Sequence, residues 1–182
     1  MIFTPAKLSG VFAVTLEPHE DDRGYFVRMF AQEEFENAGI KDFKIVQINQ
    51  AYTKNGGVLR GLHWQEKPKE EAKFFQCLDG EIYDVLVDVR RDSPTFGQWE
   101  GFNLKGSEKK LLYIPKGLAH GYETLVNSCR VQYMVSEFYS PEVEKGIRWN
   151  DPGLGIKWPL EPTFLSDKDK NLPLFTDLFP NS

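Results

Sequence analysis

An arginine and a histidine three residues apart, Arg60 and His63, have the chemistry for proton transfer beside an anion. Histidine is the side chain whose unperturbed pKa lies near neutrality, and the arginine guanidinium forks onto carboxylate or phosphate oxygens. The plain alternative is a structural strand with one hydrogen-bonded histidine and one surface ion pair. The choice between the two depends on what the rest of the chain brings to this stretch.

The stretch that carries the pair, residues 58–65, has the pattern of a strand that follows a turn. A Lys-Asn-Gly-Gly run at 54–57 is a turn signal. Strict alternation would point Arg60 and His63 to opposite faces of the strand. A β-bulge at Gly61 would bring both side chains to one face, because a bulge inserts one residue and re-aims a side chain.

The whole chain has the pattern of an all-β protein, either a sandwich or a barrel, with one short helix over 31–39. Gly, Asp and Pro turns separate many short apolar segments, and residues 141–159 are predicted to be irregular. With 182 residues, one domain over 1–182 is expected. The predicted strands cover 8–16, 25–30, 43–52, 58–65, 73–78, 81–90, 97–104, 110–114 and 128–139.

Four further polar side chains are embedded in these strands or in the turns beside them: Lys73, Asp84, His120 and Tyr133. In a barrel, alternate residues face the interior, where a buried charge is costly unless it is paired or functional. If such groups converge in one apolar cavity, they form a candidate site. The sequence alone does not show that they converge.

Composition narrows the classes of partner. The net charge of −5 makes broad nucleic-acid binding unfavourable, and no apolar run is long enough to span a bilayer. The N-terminus lacks the basic and apolar pattern of a signal peptide. Cys77 and Cys129 lie in apolar strand-like segments, which is typical of buried free thiols in a reducing compartment. We therefore expect a cytoplasmic protein with neither nucleic-acid nor membrane partners.

A metal site is the obvious alternative, because small barrels of this type often hold metal on clustered histidines. His63 and His120 supply at most two nitrogen ligands, and Gln65 stands where a second ligand would follow His63. His19 lies in a polar loop. The sequence therefore predicts no metal.

In combination, the motifs resemble those of the dTDP-4-dehydrorhamnose 3,5-epimerases, cofactor-free enzymes with an all-β cupin fold (a double-stranded β-helix, or jelly-roll barrel) and a few short helices. The resemblance covers nearly the whole chain in order, and the combination is specific although each piece alone is weak. Tyr133 also matches. The matching stretches are 22–26, 46–49, 58–65, 80–85, 93–97, 114–121, 139–142, 146–152, 155–159 and 165–169.

The resemblance implies an epimerase that inverts C3, C5 or both in a nucleotide-linked 4-keto-6-deoxy sugar. The keto group acidifies the protons on these two carbons, so a base can remove them. Such a reaction needs a base, an acid across the ring and a cation at the enolate oxygen. By family likeness His63 is the base, Asp169 its partner, Tyr133 the acid and Lys73 the stabiliser of the enolate oxygen. A homodimer with an exchanged N-terminal strand is also implied.

Other residues match family positions that hold the substrate. Basic groups for the diphosphate or sugar oxygens are Arg23, Arg60 and His120, and positions for the nucleotide are Gln47, Asn49 and Tyr139. Arg28 stands where the family usually has a nucleotide-holding Glu, which suggests a different nucleotide or a surface exchange. Residues 49–53 replace a Ser-containing pattern, and the Phe74–Phe75 pair stands where smaller aliphatics are usual, so both could reshape the sugar pocket.

Each assignment has a structural alternative. Tyr133 could be a core ring, Lys73 could extend from the barrel rim, and Asp169 could cap a turn. At the level of function, the sequence leaves open a C3-only or heptose-type epimerase acting on a GDP or CDP sugar. A non-catalytic sugar-nucleotide-binding cupin and, more weakly, a metal-dependent cupin enzyme also stay open.

Overall fold

The computed structural model describes residues 1–180, so residues 181 and 182 of the expected domain lie outside the described part. The all-β prediction with a few short helices is confirmed. The strands are β1 Ile2–Pro5, β2 Phe12–Thr15, β3 His19–Asp21, β4 Gly24–Phe26, β5 Gln47–Thr53, β6 Leu59–Gln65, β7 Lys73–Asp79, β8 Glu81–Asp88, β9 Trp99–Lys105, β10 Lys110–Ile114, β11 Leu118–Thr124, β12 Cys129–Val135 and β13 Glu144–Gly146. The helices are α1 Gln32–Asn37, α2 Asp167–Lys170 and α3 Phe175–Leu178, with a 3₁₀ turn at Gly106–Glu108.

Two antiparallel sheets make up the body of the protein. One has six strands in the order β1-β2-β10-β7-β12-β5, and the other has five in the order β13-β6-β11-β8-β9. A separate hairpin pairs β3 with β4. One apolar cluster joins side chains of both sheets, including Phe75 and Leu112 from the six-stranded sheet and Leu86 and Tyr122 from the five-stranded one. The main core therefore lies between the sheets.

The outer face of each sheet has its own cover. Phe35 of α1 and Phe43 pack on Phe74, which points away from the main core. On the five-stranded sheet, Val85 and Val87 contact a cluster that includes Phe175 of α3. Alternation along β8 is thus as expected, because Asp84 and Leu86 face inward while the valines face out.

Several element boundaries differ from the sequence prediction. The strand expected over 8–16 is shorter, since Gly10 turns the chain before β2. The strand expected over 25–30 ends at Phe26, because Met29 and Phe30 pack on α1 and do not join a ladder. The strand expected over 128–139 ends at Val135. Strands β1, β3, β11 and β13 and helices α2 and α3 were not predicted.

Candidate active site

A cavity of about 590 Å³ opens beside the main core, and both sheets line it. Strands β6, β11 and β13 form one wall, and β5, β7 and β12 form the other. Phe164 and Ser166, which precede α2, and Lys168 and Asp169 of α2 also line it. Most of the polar residues singled out in the sequence thus meet in one place, although they come from distant parts of the chain.

Arg60 and His63 both line this cavity because β6 carries one extra residue there. His63 lies opposite His120 of β11 and Arg60 lies opposite Tyr122, so three steps along β6 match two along β11. Gly61 sits at the irregularity with φ of +112°. A Cβ on Gly61 would come within 2.6 Å of the Gly121 Cα, so close backbone packing requires glycine there. The bulge expected from the sequence is present.

His63 forms a short hydrogen bond with Asp169, 106 residues further along the chain. The Nε2–Oδ1 distance is 2.7 Å, and Asp169 is buried at the start of α2. The Ser166 hydroxyl accepts from the Asp169 amide and fixes this turn. Burial alone would raise the pKa of Asp169, but the hydrogen bond and charge of His63, together with hydrogen bonds from Ser166 and the Gly61 backbone, outweigh it and the pKa is lowered. The carboxylate therefore holds the proton on Nε2 and leaves the Nδ1 lone pair free.

A second carboxylate, Glu144 of β13, lies on the other side of the same imidazole. Its Oε1 is 4.0 Å from His63 Nδ1, while its Oε2 accepts hydrogen bonds from the Tyr139 hydroxyl and Lys168 Nζ. Burial would raise the pKa of Glu144, but these two donors outweigh it and the pKa is lowered. The sequence reasoning missed Glu144, because β13 is too short to give a strand signal, and it gave no role to Lys168, which lies on the short helix α2.

The loop that carries Tyr139 is fixed to β6 by Gln65. The Gln65 side chain donates to the Phe138 carbonyl and accepts from the Ser140 amide. The position two residues after His63, where a metal ligand was considered, thus serves to hold the loop that carries Tyr139. Among the described residues, no group of three His, Cys, Asp or Glu side chains is placed to hold a metal ion.

Tyr133 and Lys73 lie on the opposite wall, on β12 and β7. Lys73 Nζ is 2.6 Å from Glu71 Oε1, and both side chains are largely buried. Burial, followed by the charge of Glu71, raises the pKa of Tyr133, so its hydroxyl stays protonated at neutral pH. Glu71 is a further cavity residue that the sequence reasoning did not single out.

His120 has a carboxylate partner of its own. Its Nε2 is 2.7 Å from Asp84 Oδ2, and Asp84 is fully buried. Burial raises the pKa of Asp84, although the nearby His120 and Lys73 act in the opposite direction. Asp84 Oδ1 has no hydrogen-bond partner among the described residues. Asp84 and His120 both face the interior, as alternation predicts. His120 lines the cavity, and Asp84 lies behind it.

Gln47, Asn49 and Arg60 complete the cavity residues expected from the sequence. Gln47 donates to the Asn49 side chain at 2.7 Å on β5. Arg60 makes one long hydrogen bond, 3.4 Å to the Thr53 hydroxyl. Within residues 1–180 it has no carboxylate partner, whereas Lys73 and Lys168 are each paired with a glutamate. Arg60 is therefore the cavity cation best placed to receive an anion.

Arg23 and Arg28 are not brought to this cavity by the single chain. Arg23 sits at the turn of the β3–β4 hairpin, 90% exposed and paired with Asp21. Arg28 pairs with Glu34 at 3.3 Å, beside a smaller cavity near the N-terminus. The substrate contacts expected of Arg23 and Arg28 stay predictions.

Comparison with known proteins places this geometry in a family. A family model described as dTDP-4-dehydrorhamnose 3,5-epimerase matches residues 5–177. A Shigella flexneri dTDP-4-dehydrorhamnose 3,5-epimerase is 43% identical over 157 residues, which cover 86% of this chain and 86% of that protein. Among the helices of residues 1–180, none is long and apolar enough to cross a membrane.

Solved structures with the same architecture agree. The dTDP-4-dehydrorhamnose 3,5-epimerase of Bacillus anthracis, crystallised with TDP and PPi, has a TM-score of 0.91 at 40% identity and covers 95% of this chain and 98% of that one. ChmJ of Streptomyces bikiniensis, described as a 3'-monoepimerase in complex with dTDP-quinovose, has a TM-score of 0.86 at 37% identity. That match covers 93% of this chain and 86% of ChmJ.

Proposed function

This chain belongs to the dTDP-4-dehydrorhamnose 3,5-epimerase family, and from that premise we propose that His63 and Tyr133 epimerise a nucleotide-linked 4-keto-6-deoxy sugar through an enolate. The enzyme is an isomerase of deoxysugar biosynthesis. The observation that carries the assignment is the placement of the two groups. His63 and Tyr133 come from different sheets and line the same cavity, as removal and return of a proton on two faces of a ring requires.

The first step is removal of the C3 or C5 proton. His63 Nδ1 accepts it, the C–H electron pair moves into the ring, and negative charge develops on O4. Asp169 supports this step because its carboxylate faces the resulting imidazolium at Nε2. Lys73, largely buried on the far wall, is the ammonium that offsets the charge on O4.

Inversion follows when the enolate carbon takes a proton from the other face. The Tyr133 hydroxyl, which is protonated at neutral pH and lies on the wall opposite His63, supplies it. His63 then releases its proton, and solvent restores Tyr133. These proton transfers require neither a redox step nor a cofactor, since the bonding electrons stay within the sugar.

Substrate binding follows the charges of the cavity. Arg60, which lacks a carboxylate partner among the described residues, takes the diphosphate, with His120 at sugar or phosphate oxygens. Tyr139, Gln47 and Asn49 hold the nucleotide. Glu144 lies between the nucleotide-holding Tyr139 and the base His63, since one of its oxygens accepts from the Tyr139 hydroxyl and the other faces His63. The bound TDP and dTDP-quinovose of the relatives support a thymidine nucleotide.

We also propose a homodimer that exchanges its N-terminal region. In the single chain, β1 pairs with β2 and forms one edge of the six-stranded sheet, and β5 forms the other edge. The β3–β4 hairpin presents Tyr25 and Phe26 to solvent, and the outer face of β5 exposes Ile48 and Tyr52. A second copy would cover these side chains and bring Arg23 toward a cavity. Cys77 and Cys129 are both free and buried, which supports the cytoplasm as the compartment.

The direct test is incubation with dTDP-4-keto-6-deoxyglucose in heavy water, followed by mass spectrometry and proton NMR. Deuterium at C3 and C5 with inversion is the expected result. A His63→Asn variant, which keeps the polar shape of the side chain, should lose exchange by about 10²–10⁴-fold without loss of fold. Binding without any exchange would instead indicate a sugar-nucleotide-binding module.

A C3-only epimerase is the second candidate, because ChmJ is a 3'-monoepimerase of closely similar structure. Deuterium at C3 alone would select it. GDP- and CDP-linked 4-keto sugars in the same assay address the departure at Arg28.

A further inference from the structure

The ring of Phe75 links the two walls of the cavity. Phe75 belongs to β7, is almost fully buried, and still forms part of the cavity lining. Its ring stacks on Tyr133 with centroids 5.8 Å apart and an interplanar angle of 27°. It meets His120 edge-on at 4.7 Å and Tyr122 at 5.6 Å, both on the opposite sheet.

Tyr133 depends on this contact for its orientation. No hydrogen bond from a described residue holds the Tyr133 hydroxyl, although the ring is more than half buried. Phe75 lies directly opposite Tyr133 in the ladder between β7 and β12, and it is the aromatic ring that stacks on it. Packing, not polar contacts, thus sets the direction in which the hydroxyl points. A tyrosine that must deliver a proton to one face of a ring needs such a support.

We infer that Phe75 is the positioning residue for Tyr133, and that its ring determines how efficiently a carbon deprotonated by His63 is reprotonated on the opposite face. This inference rests on the proposed function, because it concerns the acid of the epimerisation. Phe75 does not exchange a proton itself. Its effect falls chiefly on the inverting step, since the base His63 belongs to the other sheet and is oriented by Asp169.

The consequence is a separation of exchange from inversion. When Tyr133 is misplaced, His63 still removes the sugar proton, and a deuteron from solvent can return on the same face. The substrate then incorporates deuterium with retained configuration. A variant that merely lowers the stability of the fold reduces exchange and inversion together, so the ratio of the two rates distinguishes positioning from damage.

Phe74 provides the matched control. It is the next residue on the same strand and is equally buried, but its ring packs on Phe35 on the outer face of the sheet. Phe74→Val and Phe75→Val therefore remove the same atoms from two well-packed sites, one of which faces the cavity. Phe75→Leu keeps more of the volume and replaces Phe75→Val if the valine variant lacks a cooperative unfolding transition.

The experiment measures inversion and deuterium exchange of dTDP-4-keto-6-deoxyglucose in heavy water for these variants, Tyr133→Phe and the Phe75→Val/Tyr133→Phe double variant. We expect the inversion-to-exchange ratio to fall about 10–100-fold in Phe75→Val and to stay at the parental value in Phe74→Val. In the Tyr133→Phe background, Phe75→Val should lower the ratio no further, because the group it positions is absent.

Two results would overturn the inference, and only the second would also overturn the proposed function. A parental ratio in the Phe75 variants, with a reduced ratio in Tyr133→Phe, would leave the proposed function intact and discard the role of Phe75. A parental ratio in Tyr133→Phe itself would remove Tyr133 as the acid, and the proposed mechanism would fail with the inference.

Discussion

Glu123 of β11 should make the stability of this protein fall as the pH rises from about 4.5 to about 7, and Glu123→Gln should abolish that dependence. The carboxyl group is fully buried between its ladder neighbours Leu59 and Tyr83. Oε2 accepts one hydrogen bond, from the Leu160 amide at 3.2 Å, and Oε1 has no partner among the described residues. Burial is the main cause that raises its pKa to about 7.

The magnitude follows from that pKa. A folded-state pKa of about 7 against an ordinary value of 4.5 means that the folded protein holds this proton while the unfolded chain releases it. At about 1.4 kcal/mol per pH unit, the difference amounts to about 3 kcal/mol. The stability from this group is complete below pH 4.5, is lost as the pH rises toward 7, and stays lost at higher pH.

Urea unfolding of the parent and of Glu123→Gln at several pH values between 5 and 8 measures this directly. The amide keeps an acceptor for Leu160, and any cost of its buried NH₂ group is the same at every pH. The variant should therefore gain about 2–3 kcal/mol relative to the parent between pH 5 and pH 8. Glu161→Gln is the control: it removes a nearby exposed charge that also raises the pKa of Glu123, so it should give a smaller gain. Parallel stability curves for parent and Glu123→Gln would refute the reasoning.

Three further predictions concern the site. Asp169→Asn should lower both exchange and inversion by about 10²–10⁴-fold, because the His63 tautomer is no longer fixed; a change confined to KM would contradict this. Arg60→Gln should raise KM about 10–100-fold with kcat changed little, as expected for loss of a charge-assisted contact with the diphosphate; steady-state kinetics with an unchanged KM would exclude the contact. Arg28→Glu should shift the preference among dTDP, GDP and CDP sugars, and an identical preference would make Arg28 a surface exchange.

The alternation of side chains along the strands was sufficient to predict much of the fold and about half of the residues that line the site. Alternation placed Asp84 inside and Val85 outside on β8, and it required a bulge to bring Arg60 and His63 together. It could not indicate that Asp169 would meet His63, because the two residues are 106 positions apart and no local periodicity encodes such a contact. The family resemblance supplied that pairing.

The errors have physical causes in tertiary packing. Residues 27–30 have the composition of a strand, but Met29 and Phe30 bury their side chains against α1 and leave the ladder after Phe26. Glu144 was missed because β13 has three residues, too few for a period to appear, and it forms a strand through pairing with β6. Its place beside His63 becomes visible only when that pairing is known.

The division of the reacting groups between two sheets also makes the substrate a cross-link. A sugar nucleotide in contact with His63 on β6 and Tyr133 on β12 would tie the walls together across the core that Phe75 and Tyr122 share. Such a ligand resists separation of the sheets, so its binding free energy adds to the free energy of unfolding. At a concentration 100 times its Kd, this added stability is about 2.7 kcal/mol. Thermal shift then becomes a substrate screen that needs no turnover and can be carried out even with His63→Asn.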